Sequence, residues 1–386
     1  MLLGVDIFIN MCKEYDYLLV GAGLFNAVFA YQARQHGKRC LVIDKRPHVG
    51  GNLYCEDIEG IHVHRYGPHI FHTSNKQVWD FVNQFVSFNR FTLCPVANYR
   101  GRIFNLPFNM NTFYQMWGTV TPAEACEKIR QQSASITGSP QNLEEQAIQQ
   151  VGTDIYQTLI KGYTEKQWGR SCKELPPSII QRIPVRYTYD NNYFRDNYQG
   201  VPEGGYNRLM NGLLKGIQCL TRCNYFENKS HFDELADKII YSGSIDEYFG
   251  YCIGKLDYRS LTFEDEIIQT VNYQGNAMVN YTDSSVSYTR IIEHKHFDIS
   301  NSAVLYSPIS VITREHPVCL SSCCDPYYPI CDQKNTDLYD EYLSLSKHEP
   351  TVIFGGRLGQ YRYMNMDETI ASALSAFSNI RISDSQ

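Results

Sequence analysis

The sequence predicts an α/β protein organised around a parallel sheet, on three observations. A short apolar run, Tyr17–Val20, passes into Gly21-Ala-Gly-Leu-Phe-Asn26 and then an apolar helical stretch that ends near Gly37. A second apolar run, Arg39–Ile43, closes on Asp44, 23 residues after Gly21. Near the other end, Thr351–Phe354 reads as a strand running into Gly355-Gly-Arg357, followed by a helical stretch from Met366. Strands buried on both faces read as continuous apolar runs. The two ends of the chain are therefore expected to build one sheet.

The first of these elements is a β-turn-α-β unit of the dinucleotide-binding kind. Its glycines allow a tight turn and close approach of backbone to a pyrophosphate. The helix start favours the anion, and an acid about 20 residues on takes a ribose hydroxyl. Gly21, Gly23 and Phe25 are the expected cofactor residues of the turn, with Asp44 and Lys45 at the acidic strand end. Asn26 stands where the motif has its third glycine, so the turn is expected to loosen or its packing to shift to Ala27. Next comes His48-Val-Gly-Gly-Asn52, with Gly51 and Asn52 as further cofactor candidates. A second glycine pair beyond the acidic strand suits FAD better than a simple nicotinamide site. The late Gly355-Gly pair supports the same cofactor, because it returns the chain to close over it.

The chain has 386 residues, enough for two or three domains. Net charge is −6, so no basic field exists to hold nucleic acid or an anionic membrane. A polyanionic substrate would have to be held by a few placed arginines. Tyrosine is abundant, 29 against 19 Phe and 3 Trp, which suggests a large polar cavity. No apolar run reaches the ~18 residues that span a bilayer. The 13 cysteines are spread along the chain and read as reduced, cytoplasmic thiols. Cys319, Cys323, Cys324 and Cys331 match none of the usual zinc spacings, so no metal is expected. The first ten residues, MLLGVDIFIN, are apolar but too short for a signal peptide, and either Met1 or Met11 is the start.

Between the two ends, PAEACEKIRQQ and LEEQAIQQVGTDIYQTLIKGY read as helices around a loop at 131–142. GNAMVNYTDSSVSYTRIIEHKHF reads as antiparallel strands. The expected architecture is a Rossmann-like FAD-binding domain with an inserted helical domain and an antiparallel β-sheet domain. The expected boundaries are 14–80, 200–245 and 348–386 for the discontinuous FAD domain, and 97–181 for the helices, with a mobile lid near their end. The sheet domain would take 81–96, 182–199 and 246–347, and residues 1–13 would form an extension.

Several longer blocks are more specific than any glycine motif: RYGPHIFHT (65–73), FNLPFNMNTFYQMWG (104–118), LIKGYTEKQWGR (159–170), RIPVRYTYDNNYF (182–194), YTRIIEHKHFD (288–298), DPYYPI (325–330) and VIFGGRLGQYRY (352–363). In this order they resemble the bacterial UDP-galactopyranose mutases, from about Tyr15 to about Ala376. The resemblance implies an isomerase that interconverts UDP-galactopyranose and UDP-galactofuranose with no net redox change. It implies reduced FAD, loaded by NAD(P)H or another reductant. Flavin N5 attacks the anomeric carbon as UDP leaves, and the sugar–flavin adduct opens and recloses. It also implies a cytoplasmic homodimer that serves surface-polysaccharide synthesis.

The resemblance further implies roles for single residues. Arg182 and Arg290 would meet the diphosphate, where planar guanidinium groups suit the charge that builds on the leaving group. Tyr193, Tyr328 and Tyr363 would donate hydroxyls to the same phosphates, and Asn280 would lie near the sugar. Tyr163 would stack on uracil, and Trp168 would line the path near the lid. His69 would sit at the flavin N5 edge and is not expected to be a free general base. Arg357 would favour the anionic reduced flavin. Arg259 would lie near the active site, and Asn365 and Met366 beside the cofactor. Two departures stand out beside Asn26. Leu93 takes the place of an expected asparagine, and Asn365 that of an expected acid. They leave open an N-acetylated or deoxy sugar. A flavin oxidoreductase of the amine-oxidase type and a non-catalytic nucleotide-sugar or FAD-binding protein are the alternatives.

Overall fold

A computed structural model describes residues 13–181, 183–319 and 325–384. Five parallel strands form one sheet, in the spatial order Val352–Phe354, Ala236–Tyr241, Tyr15–Val20, Cys40–Asp44 and Gln218–Thr221. The first and last strands of the chain thus share a sheet, as their apolar runs predict. Leu18 and Leu19 on the central strand are fully buried because both faces are covered. One face carries the helices Leu24–Gln35 and Met366–Asp384, locked by an edge-on Phe29–Phe377 contact at 5.4 Å. The other face is covered by Tyr225, Phe232, Tyr241 and Tyr248.

A second sheet has seven strands, in the order Tyr328–Pro329, Tyr258–Ile268, Ser310–Cys319, Arg290–Glu293, Met278–Tyr281, Val96–Tyr99 and Arg102–Asn105. Every neighbouring pair is antiparallel except Met278–Tyr281 with Val96–Tyr99. The hairpin at 96–105 belongs to this sheet. The helices therefore begin at Met110, and not at 97 as the sequence reading had it. Residues 96–99 and 102–105 are short and lie astride a turn at Arg100-Gly101, which is hairpin chemistry and carries no helical period.

The helical layer runs from Met110 to Gln181 and has its own core of Phe104, Phe113, Ile129, Leu143, Tyr156 and Leu159. Its helix starts are capped by Asn109, Thr121 and Asn142, each accepting from a backbone N–H one turn on. The helix Pro122–Ser133 reaches further than the sequence suggested, so the loop is 134–142. Two short ribbons, Cys55–Ile58 with Ile61–His64 and Phe71–Thr73 with Tyr198–Gly200, bracket the segment 65–70. Among the described residues no helix is long and apolar enough to cross a membrane. Both candidate starting methionines, with Cys323 and Cys324, lie outside the described residues. Cys331 Sγ lies 3.9 Å from the carbonyl oxygens of Pro329 and Tyr361.

Candidate active site

A cavity of about 1310 Å³ opens where the helical layer, the antiparallel sheet and the glycine-rich segments meet. Its walls include His69, Tyr163, Trp168, Tyr193, Arg259, Asn280, Arg290, Tyr328, Arg357, Tyr363, Asn365 and Met366. Residues scattered over 300 positions of sequence are thus brought to one space. Arg182 lies outside the described residues.

One end of the cavity is built on the sheet. Arg290 and Glu315 are directly opposite across two strands, and Arg290 Nε lies 3.3 Å from Glu315 Oε1. Glu315 is buried, with its carboxylate also accepting from Thr289 Oγ1 at 3.2 Å. Burial would lower the basicity of Arg290, but the Glu315 charge outweighs it and the guanidinium is held firmly protonated. Arg290 Nη2 donates to the Tyr163 hydroxyl, whose own proton is then left to donate elsewhere. Burial pushes the Tyr163 hydroxyl up despite that arginine, so it stays protonated. A cation and a hydroxyl donor therefore sit side by side, which suits an anionic oxygen. Tyr328 and Tyr363 are stacked at 5.8 Å, and the Arg357 guanidinium lies 5.5 and 5.3 Å from their ring centres. Arg357 also donates to the carbonyls of Tyr327 and Met364.

Tyr163 and Trp168 lie on the helix Gly162–Trp168, which the sequence holds against the sheet by three contacts. A Cβ on Gly162 would stand 2.4 Å from the Thr282 carbonyl oxygen, so only glycine permits this approach. Lys166 Nζ donates to the carbonyls of Tyr281, Asp283 and Tyr288 at 2.8–2.9 Å. Burial lowers Lys166 to about 8, leaving it mainly charged at neutral pH. Arg259 is buried and donates through Nε to the Gln167 carbonyl, placing a cation at the helix C-terminus.

At the other end stands the segment 65–70. His69 Nδ1 lies 2.8 Å from the Gly67 carbonyl, which makes Nδ1 the protonated nitrogen and leaves Nε2 an acceptor. Burial and then the Arg357 charge hold His69 down to about 4. It is neutral at pH 7. Asn365 begins the helix Met366–Asp384: its N–H donates to Glu368 Oε2 and its carbonyl accepts from Thr369. That half of a capping box fixes Asn365 and Met366 at the cavity wall.

A family model described as UDP-galactopyranose mutase matches residues 158–363. The chain belongs to the UDP-galactopyranose mutase family. A second model, for an NAD(P)-binding Rossmann-like domain, matches residues 19–85. A Klebsiella pneumoniae protein named "Probable UDP-galactopyranose mutase" is 39% identical over 367 residues, 93% of each chain. The dTDP-fucopyranose mutase of Escherichia coli is 37% identical over 92% of this chain and 96% of its own. A crystal structure of reduced UDP-galactopyranose mutase has a TM-score of 0.76 over 95% of this chain and 93% of that one. At 13% identity that likeness bears on the fold.

The mutase family's dinucleotide turn lies apart from the main cavity, with Asn52 bridging the two. Asn52 lines the cavity and accepts from Arg46 on the glycine side. The helix Leu24–Gln35 starts at Gly23 without a side-chain cap, and a Cβ placed on Gly23 would meet nothing within 4 Å. Unpaired N–H groups facing open space fit a pyrophosphate. Gly51 has φ +54° and packs so close that a Cβ would stand 2.9 Å from Gly23 Cα. Asp44 accepts from the N–H of Ala22 at 2.7 Å and of Arg46 at 2.8 Å, so it braces the turn and keeps lone pairs for a ribose. Lys45 is mostly exposed, 3.6 Å from Asp325. Phe25 is buried with its ring under Gly355, leaving only its backbone N–H for a cofactor.

Asn26 neither loosens the turn nor passes its role to Ala27. It is fully buried, and its amide donates to the carbonyls of Val20 and Gly21 and to Ser242 Oγ at 2.8–3.1 Å. The asparagine ties strand, turn and neighbouring strand together where glycine would only fit. Glu315, Lys166 and Arg186 escaped the sequence reading. Arg186 is buried and donates to the carbonyls of Asn192 and Tyr193, holding the segment that presents Tyr193. Cross-strand register would have exposed Glu315 as the partner of Arg290, and one sequence does not give register.

Proposed function

We propose that this chain interconverts UDP-galactopyranose and UDP-galactofuranose with no net redox change, with reduced FAD as its cofactor. One observation carries the reading: the Arg290–Tyr163 donor pair and the Tyr328–Tyr363 stack share a cavity with His69, Arg357 and Asn365. Bound at the Gly21–Gly23 turn and the His69 end, the reduced flavin would supply the nucleophile for the anomeric carbon.

The protein's residues do the rest. Arg290 and Tyr163 hold the diphosphate and stabilise the charge that grows on it as the anomeric bond breaks. Arg182 is proposed as a second cation at the same phosphates. The Tyr163 ring offers a face to the base while its hydroxyl meets Arg290, which places base and diphosphate in sequence. Neutral His69 offers an acceptor beside the cofactor, and Arg357 a positive charge that favours a reduced anion.

A second reading of the substrate has its own support. Leu93 is buried and forms part of the cavity wall beside Pro95 and Met278. An apolar wall offers no partner to a sugar hydroxyl, and a relative of like identity is a dTDP-fucopyranose mutase. The test is purified protein with UDP-galactofuranose or dTDP-fucofuranose, with and without dithionite, resolved by anion-exchange chromatography. Conversion of the UDP sugar only when reduced supports the first reading. Preference for the dTDP-deoxysugar supports the second. Stoichiometric use of reductant or oxygen would favour an oxidoreductase, and UDP binding without turnover a binding protein.

A further inference from the structure

Behind His69 runs a buried series of hydrogen bonds that no step above uses. The backbone N–H of His69 donates to His64 Nδ1 at 3.1 Å. The backbone N–H of His64 in turn donates to His294 Nδ1 at 3.2 Å. His294 Nε2 lies 2.7 Å from Thr313 Oγ1, and that hydroxyl lies 2.5 Å from Asp265 Oδ1. Asp265 and Thr313 are paired across the long hairpin, and the second oxygen of Asp265 accepts from Arg65. His64 and His294 are each about 98–99% buried.

The directions of these bonds are forced. Asp265, paired with Arg65, is an acceptor, so Thr313 must donate its one proton to it. Thr313 can then only accept from the imidazole, so His294 carries its proton on Nε2. Its Nδ1 lone pair is left to take the His64 N–H. His64 must likewise present a bare Nδ1 to the His69 N–H. Burial holds both rings neutral, as this pattern requires. The segment 64–69 is thus fastened at three points: Arg65 to Asp265, the His64 backbone to His294, and the His69 backbone to the His64 ring.

We propose that His64 and His294 are positioning residues of the cofactor segment, two imidazoles of fixed tautomer whose Nδ1 atoms set where His69 stands in the cavity wall. Remove the His64 acceptor and the N–H of His69 loses its partner, a cost a buried donor bears in full. His69 is then held only through its ring contact to the Gly67 carbonyl, and the position of its Nε2 is less firmly set. The proposal rests on the reading that His69 faces a flavin, but its first test does not.

That first test is a long-range ¹H–¹⁵N spectrum of histidine-labelled protein at pH 7, resonances assigned by His64→Asn and His294→Asn. Both rings should carry the proton on Nε2, and a proton on Nδ1 of either would overturn the proposal. The second test uses holoenzyme. In His64→Asn the amide oxygen can stand near the place of Nδ1, whereas His64→Leu leaves no acceptor. His64→Leu should weaken FAD binding on the order of tenfold and shift the absorbance spectrum and midpoint potential of the bound flavin. His64→Asn should keep all three near wild type. Equal behaviour of the two variants would overturn the proposal. Should His64→Leu not fold, Thr313→Val takes its place: it removes the acceptor of the His294 Nε2 proton while the His64 N–H still holds Nδ1, so the tautomer should stay and the Nε2 resonances should shift, and unshifted Nε2 resonances would refute the series. Wild-type protein that binds no flavin would instead refute the reading of the cavity, with the tautomer result standing.

Discussion

Arg290 serves two partners, and a double replacement separates them. Arg290→Met removes the cation from Glu315, whose side chain is only 3% exposed. Stripping one partner from a buried ion pair costs about 3–5 kcal/mol. Arg290 itself keeps 22% exposure toward the cavity, so the lower end, about 3 kcal/mol, is expected here. That is a large share of a typical 5–15 kcal/mol of stability, yet the protein should still fold. Adding Glu315→Gln removes the orphaned charge, and the double variant should recover most of the loss. Turnover should not follow. A charge-assisted contact to the leaving diphosphate is worth about 1.5–3 kcal/mol, or roughly 10- to 150-fold in kcat/KM. The double variant should therefore regain its urea midpoint while kcat/KM stays at least tenfold down. If activity returned along with stability, Arg290 would be acting on Glu315 alone and the diphosphate assignment would fall.

The remaining predictions concern the supports of the site. Asn26→Gly restores the motif glycine but deletes an amide whose two protons are shared among three acceptors. It should lower stability by about 1–3 kcal/mol in urea melts, and a gain would refute the bracing role. Lys166→Met strips three carbonyls of their donor, and should cost roughly 2–4 kcal/mol and weaken UDP binding in calorimetry. Folded His69 and His294 are held down to about 4 and about 3, by burial first and then by Arg357 and Arg65, against 6.5 for the free group. Below pH 6.5 the unfolded chain takes up protons that the folded one refuses, so stability falls as pH drops from 6.5 toward 4. Melting temperature should be flat with pH above that window as far as these groups go, and His294→Asn should reduce the slope within it.

Of the parallel sheet's five strands, Ala236–Tyr241 and Gln218–Thr221 were not read from the sequence, and the chain's first two were legible because their signal is local. Apolar runs, the Gly21–Gly23 turn and Asp44 on schedule all lie within 30 residues, and each has one physical reading. The second sheet was legible in kind but not in membership. The hairpin at 96–105 carries a local turn signal at Arg100-Gly101, but its membership of this sheet rests on pairing with Met278–Tyr281, a partner about 180 residues away. The blocks that resemble the mutase family contain much of the cavity wall, and on the proposed function those side chains are the ones that meet the ligand. They did not name Lys166, Arg186 or Glu315, whose partners are backbone carbonyls and one arginine. Such partners leave no local pattern: the contact depends on which strands meet and in what register.

Asn26 shows why a motif's departure should be read through its partners. A glycine at that position serves by having no side chain, so that helix and strand approach. Asparagine is found there fully buried, and the two protons of its amide reach acceptors on the turn, its strand and the next strand. Hydrogen bonds hold the turn here. Leu93 is the opposite case. It also replaces an expected polar residue, and its side chain belongs both to the buried apolar core and to the cavity wall. A change that the scaffold absorbs through new hydrogen bonds speaks of stability. One that alters the wall of the cavity bears on which ligand fits there, and this is why the proposed sugar preference is to be tested at Leu93 and not at Asn26.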